Sequence, residues 1–204
     1  MDMRTTKSKA FVLGLSVVLL AGVSGCDMIK AYFTAKSEAT KWSGPVEEIT
    51  YAKLDKDGKV FDIEMHSRID APVDKVWEAL KKPELLADNS EQYKLSKLLK
   101  QDGNTKDLEL HVLALGNLQQ FKVRLTFDDN AKHVRVETLE SNLADIEGEY
   151  ELEASPDGTK TLYVYKAKQT DKVALPISTD VQRSALKESF VNQVRAIKKQ
   201  LGLS

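Results

Sequence analysis

The side chains that could do acid–base chemistry in this chain are few and scattered. His66, His111 and His133 are its three histidines. His66 alternates with Phe61, Ile63, Met65 and Ile69, His111 with Leu108, Leu110, Val112 and Ala114, and His133 with Val134 and Val136. A period of two puts each histidine on the opposite face of its strand from the apolar row, toward solvent. Glu140 extends the row Val134, Val136, Thr138, which makes it a polar cavity candidate whose carboxyl a dry pocket would push up. The alternative puts it in water at a frayed strand end. Tyr150 and Tyr163 are phenols that could act as acid or base. No Cys/His spacing fits a metal site, no glycine-rich phosphate loop occurs, and nothing pairs a serine with a histidine and an aspartate. No catalytic residue, metal or cofactor is therefore expected.

The single cysteine, Cys26, leaves no intrachain disulfide open to the chain. Arg4, Lys7 and Lys9 form a basic head, and Ala10 to Ala21 is an apolar run too short to span a bilayer comfortably. Val23-Ser24-Gly25-Cys26 closes it with small residues. This resembles the bacterial lipoprotein signal, whose lipobox ends in a cysteine. The resemblance implies a signal peptide over 1–25, cleavage after Gly25, and a diacylglyceryl thioether and N-acylation on Cys26. Two or three acyl chains anchor stably, where one myristoyl chain binds only marginally. The alternative is a plain secretory peptide with an incidental cysteine. A lipid-anchored protein on the periplasmic side of the bacterial envelope is the expectation. Asp27 resembles the inner-membrane retention signal of enteric bacteria and favours that membrane.

Residues 26–45 are expected to be a tether. Met28, Ile29, Tyr32 and Phe33 would share one helical face, either resting on lipid or forming no stable structure, since isolated helices this short are marginal. Ser43-Gly44-Pro45 breaks the segment, and a domain over 46–204 comes after it. The chain is 42% hydrophobic and 30% charged with a formal net charge of −1. Loss of 1–25 would remove three cations and one anion, giving about −3. Nothing there resembles the basic footprint of a nucleic-acid binder. A monomer is expected.

The elements of that domain follow from periodicity. Val46 to Leu54 is a first, peripheral strand, turned by Asp57-Gly58. A strand with one wet face runs from Phe61 to Ile69. Val73, Val76, Trp77 and Leu80 then fall at helical spacing with Pro72 in the first turn, and Pro83 to Ala87 forms a second short helix. Tyr93 to Lys100 is a strand of undetermined facing. Leu108 to Ala114 and Phe121, Val123, Leu125 and Phe127 give two inward rows. After the turn at Asp128-Asp129-Asn130 come the rows Val134 to Thr138 and Ile146, Gly148, Tyr150 and Leu152, with Gly148 marking a bend or bulge. Pro156-Asp157-Gly158 turns the chain into a last strand, Leu162 to Ala167. The chain ends in a helix from Pro176 to Leu201, with Leu186, Phe190, Val194, Ile197 and Leu201 along one stripe. Such a stripe needs a broad apolar partner.

Two stretches carry a resemblance to the START-like (SRPBCC) superfamily, the polyketide cyclase/dehydrase and lipid transport group. One is Ile69-Asp-Ala-Pro-Val-Asp-Lys-Val-Trp-Glu-Ala-Leu80; the other is Thr161-Leu-Tyr-Val-Tyr165 followed by Pro176 and the terminal helix. The link Lys168 to Leu175 departs from the pattern in being short and lacking glycine. The resemblance implies an α+β helix-grip fold. In it a curved antiparallel β-sheet wraps a long C-terminal helix, two short helices follow the first core strand, and an apolar cavity lies between sheet and helix. Phe121, Val123, Leu125, Phe127, Tyr150, Leu152, Tyr163, Phe190 and Val194 are its candidate lining. A membrane-tethered carrier of a hydrophobic molecule or lipid is one function this implies; a cyclase or hydrolase acting in the same cavity is another. A closed core serving only contacts with other envelope proteins is the third. Two buried polar groups within hydrogen-bond reach inside the cavity would favour the enzyme, and a wholly apolar lining the carrier.

Overall fold

The computed structural model describes residues 41–203. Cys26, Asp27 and the face formed by Met28, Ile29, Tyr32 and Phe33 lie outside the described residues. Among those described, no helix is long and apolar enough to cross a membrane. The chain divides into two units, Met1–Ser43 and Gly44–Ser204.

The elements of the second unit are β1 (Tyr51–Asp57), β2 (Val60–Ile69), α1 (Val73–Leu80), a 3-10 turn (Pro83–Leu85) running into α2 (Leu86–Asn89), β3 (Tyr93–Asp102), β4 (Thr105–Ala114), β5 (Asn117–Asp128), β6 (His133–Ser141), β7 (Ala144–Ala154), β8 (Thr161–Asp171) and α3 (Thr179–Gln200). The strands form one antiparallel sheet in the order β1-β2-β8-β7-β6-β5-β4-β3. Strands β3 to β8 are a meander, because each is joined to the next by a short turn. The connection through α1 and α2 carries the chain from β2 to the far edge. The curved sheet holds α3 on its concave side, which is the helix-grip arrangement.

The core lies between sheet and helix. Phe61, Ile63 and Met65 of β2 and Phe190, Val194 and Ile197 of α3 are buried in it, each worth roughly 1.5–3 kcal/mol. Trp77 of α1 is buried edge-on to Phe127, ring centroids 5.9 Å apart. Its Nε1 donates to Asp129 Oδ1 at 2.7 Å, and Lys132 Nζ lies 5.5 Å from the ring centre. These contacts tie α1 to the β5–β6 turn.

Several local details differ from the expectations raised by the sequence. The first strand begins at Tyr51, not Val46, because the preceding stretch crosses the end of β2 and packs the half-buried Ile49 against the core. Arg68, expected on a wet face, is buried for the same reason: its guanidinium donates to the Pro45 carbonyl. Pro72 occupies the cap position before α1 rather than its first turn. Strand β8 continues to Asp171, so the link to the last helix is Lys172 to Ser178, and α3 begins at Thr179 rather than at Pro176. Ser178 sets that start, its Oγ accepting from the Val181 N–H at 3.3 Å. Gly148 marks a close approach, not a bulge. A Cβ there would stand 2.8 Å from both the Ala167 Cβ and the Lys166 carbonyl oxygen.

Candidate functional site

Helix α3 presents two neighbouring stripes to the sheet. One is the apolar core stripe of Phe190, Val194 and Ile197. The other runs Gln182, Leu186, Ser189, Gln193, Ile197 and Gln200, at steps of three and four, and faces an open cavity. The opposing wall comes from seven strands, β2 to β8, among them Leu108 and Leu110 of β4, Phe121, Val123 and Leu125 of β5, and Val134 and Val136 of β6. The space open to the centres of water-sized spheres is about 240 Å³, where a single water needs only about 10–15 Å³. This is ligand-sized room between sheet and helix.

Most of the lining is apolar, and its polar groups apart from Lys82 are neutral. Tyr150 Oη lies 3.1 Å from Gln193 Nε2 and 3.3 Å from its Oε1. The Tyr93 hydroxyl lies near Ser189, and both line the cavity. The Tyr150 ring stacks on Tyr165 at 4.7 Å and on Tyr163 at 5.3 Å. Burial pushes the Tyr150 phenol up to about 12, against the pull of its hydrogen bond to Gln193. Burial, reinforced by the neighbouring phenols, also holds Tyr93, Tyr163 and Tyr165 well above the ordinary value. All four are protonated at neutral pH, so they offer O–H donors and not bases. Among the described residues Lys82 is the one charged side chain on the lining.

Gln169 and Gln182 of the lining also belong to a polar cluster. Lys56 Nζ donates to Asp171 Oδ2 at 3.0 Å and to Gln182 Oε1 at 2.6 Å, and Gln169 Nε2 donates to Asp171 Oδ1 at 3.0 Å. The β4–β5 hairpin tip carries Leu113, Leu115 and Leu118 exposed to solvent. Leu115 itself reaches the lining.

The expected site residues divide accordingly. Phe121, Val123, Leu125, Tyr150 and Phe190 line the cavity. Phe127, Leu152, Tyr163 and Val194 do not; they are buried in the core. Glu140 points away from the cavity. A bulge at Leu139 pairs Thr138 with Val123 but Glu140 with Lys122, which flips the row to the outer face. Its side chain is 69% exposed and ion-paired with Lys122. The histidines are not brought together. His66, His111 and His133 face outward beside Glu64 at 2.9 Å, Glu109 at 2.9 Å and Glu149 at 3.0 Å. Tyr93, Tyr165, Ser189 and Gln193 belong to the site although sequence reasoning did not single them out. The helical signal was present, since 182, 186, 189, 193, 197 and 200 recur at helical spacing, but glutamines and a serine read as a solvent face. Among the described residues, no group of three or more His, Cys, Asp or Glu could hold a metal ion.

A family model for polyketide cyclase / dehydrase and lipid transport matches residues 60–202. No curated protein matches the chain. Among solved structures, the Zhui aromatase/cyclase from Streptomyces sp. R1128 superposes with a TM-score of 0.62 at 18% identity, covering 69% of this chain and 93% of that one. A START superfamily protein from Mycobacterium smegmatis gives 0.58 at 12% identity, covering 71% and 98%. A STAR-related lipid transfer protein from Xanthomonas axonopodis gives 0.55 at 16% identity, covering 74% and 98%. At these identities the likeness is one of fold.

Proposed function

This chain belongs to the polyketide cyclase / dehydrase and lipid transport family, and from that premise we propose that it binds and carries a hydrophobic small molecule or lipid. The observation that carries the reading is the cavity between sheet and α3, apolar over most of its lining and about 240 Å³ in extent. Pockets of this make are the common form of small-molecule sites. Protein purified from its own cells should show an added apolar mass in native mass spectrometry. An empty protein that also fails to bind a neutral fluorophore such as 1-aminoanthracene would sink the reading.

The setting we propose is the periplasmic side of a bacterial envelope membrane, with Cys26 acylated and Asp27 favouring the inner membrane. The exposed leucines of the β4–β5 tip support a place near lipid, because an apolar rim beside the cavity eases transfer of an apolar ligand. Cys26→Ser should abolish the added mass on the N-terminal peptide and release the protein from membranes. A wild-type protein that washes off in high salt would overturn the anchor.

Cyclase chemistry is the second reading, favoured by the Tyr150–Gln193 pair inside the cavity. A phenol kept protonated could donate to a carbonyl or enolate oxygen during ring closure. Turnover of a poly-β-ketone that Tyr150→Phe removes without loss of binding would establish it.

A further inference from the structure

The cavity has a polar waist built from two opposed elements. From α3, Ser189 and Gln193 project one turn apart into the lining; from the sheet edge and β7, Tyr93 and Tyr150 meet them. Tyr165 of β8 also lines the cavity, stacked on Tyr150 at 4.7 Å. Tyr163, stacked on Tyr150 at 5.3 Å, has a buried hydroxyl close to the Tyr150 phenol. Every one of these groups is a neutral donor–acceptor. The buried ion pair of the region, Lys56 with Asp171, is already closed on itself and on Gln182, so its cation is not free to meet a ligand anion. Along the α3 stripe these hydroxyl and amide groups fall between Leu186 and Ile197.

We infer that this waist recognises one uncharged oxygen, as an alcohol, ketone or ester, on an otherwise apolar ligand, and discriminates against a carboxylate. The inference rests on the carrier reading and names the ligand class of that same cavity. A hydroxyl or carbonyl entering the waist finds phenol donors and an amide that can turn to give or accept. A carboxylate at these groups finds neutral donors only, because the lining's one charged side chain, Lys82, is exposed to solvent, and burying an uncompensated charge is far costlier than burying a neutral oxygen. A site made to hydrogen-bond a substrate oxygen also rejects analogues lacking it, because its own buried polar groups are then left unpaired.

The test is displacement of 1-aminoanthracene from the full mature protein by dodecanol, dodecan-2-one and dodecanoate at a pH where dodecanoate is ionised. The two neutral ligands should bind about a hundredfold more tightly than the anion. Tyr93→Phe, Ser189→Ala and Gln193→Met each remove polar atoms with little change of volume. Each should weaken dodecanol about three- to tenfold, with the affinity of each variant for 1-aminoanthracene measured first and the melting temperature near wild type. Equal or tighter binding of dodecanoate, or variants with unchanged dodecanol affinity, would overturn the inference and leave the carrier reading standing. No binding of the fluorophore or of any amphiphile would overturn both.

Discussion

Val194 and Ser189 lie five positions apart on α3, yet the same substitution should act on them in opposite ways. Val194 is fully buried against the core, so Val194→Trp forces extra volume into a filled space and should cost about 1–3 kcal/mol. Ser189 faces the cavity, so the Ser189→Trp side chain has room to enter. Its melting temperature should hold or rise, while 1-aminoanthracene binding falls. Thermal melts of both variants check this. A matching loss of stability in the two would mean that the cavity is closed in solution. The contrast also shows why the site was only half legible in the sequence. Hydrophobicity marked Phe121, Val123, Leu125, Tyr150 and Phe190 for the interior, but cannot separate a residue facing empty space from one facing another side chain. Val194 and Leu152 fell on the wrong side of that divide. The glutamines and serine of the second stripe went unread for the converse reason: polar residues normally mark water, and a ligand cavity is where that rule yields.

At the scale of elements, two tight spots carry predictions. The Gly148 backbone of β7 is pressed against Ala167 and the Lys166 carbonyl of β8. Gly148→Ala should therefore destabilise by about 1–3 kcal/mol. Ala167→Gly should rescue it only in part, because the carbonyl oxygen at 2.8 Å is backbone and remains. Urea melts of the single and double variants decide the point, and full rescue would show the clash to be with the methyl alone. The second spot is the two-residue turn between Ala114 and Asn117, where Leu115 and Gly116 have φ of 53° and 77°. That conformation suits asparagine or glycine and costs a leucine about 1–2 kcal/mol. Leu115→Asn should raise stability by up to about 1 kcal/mol and reduce partitioning onto lipid vesicles. An unchanged melting temperature would remove the case for strain at the tip. Strands and helices themselves were legible because period-two rows and helical stripes are strong over this domain. Registers were not. The bulge at Leu139 that turns Glu140 outward depends on pairing with β5, which no local pattern in β6 records.

For the molecule as a whole, the four phenols gathered between sheet and helix link stability to pH. A buried tyrosine resists ionisation, and Tyr150 is raised from the ordinary 10.0 to about 12. The unfolded chain releases those protons near the ordinary value, while the folded chain holds them to higher pH. Stability should therefore be flat with respect to these groups below pH 10, and should fall as the pH rises from there toward 12. Lys81, Lys122 and Lys166, raised by hydrogen bonds to Asp129, Glu140 and Glu151, contribute a loss of the same sign. The tyrosine share is separable by spectroscopy. Tyrosinate absorbance should rise together with loss of circular dichroism, because most of the phenols ionise only when the fold opens. Tyr93→Phe and Tyr165→Phe should flatten the alkaline fall in melting temperature, whereas Lys122→Met should not alter the tyrosinate signal. An absorbance rise well ahead of unfolding would show that water fills the waist and solvates the phenols. A wet waist would blunt the penalty on a ligand's charge, so this titration also measures the dryness on which discrimination between alcohol and carboxylate depends.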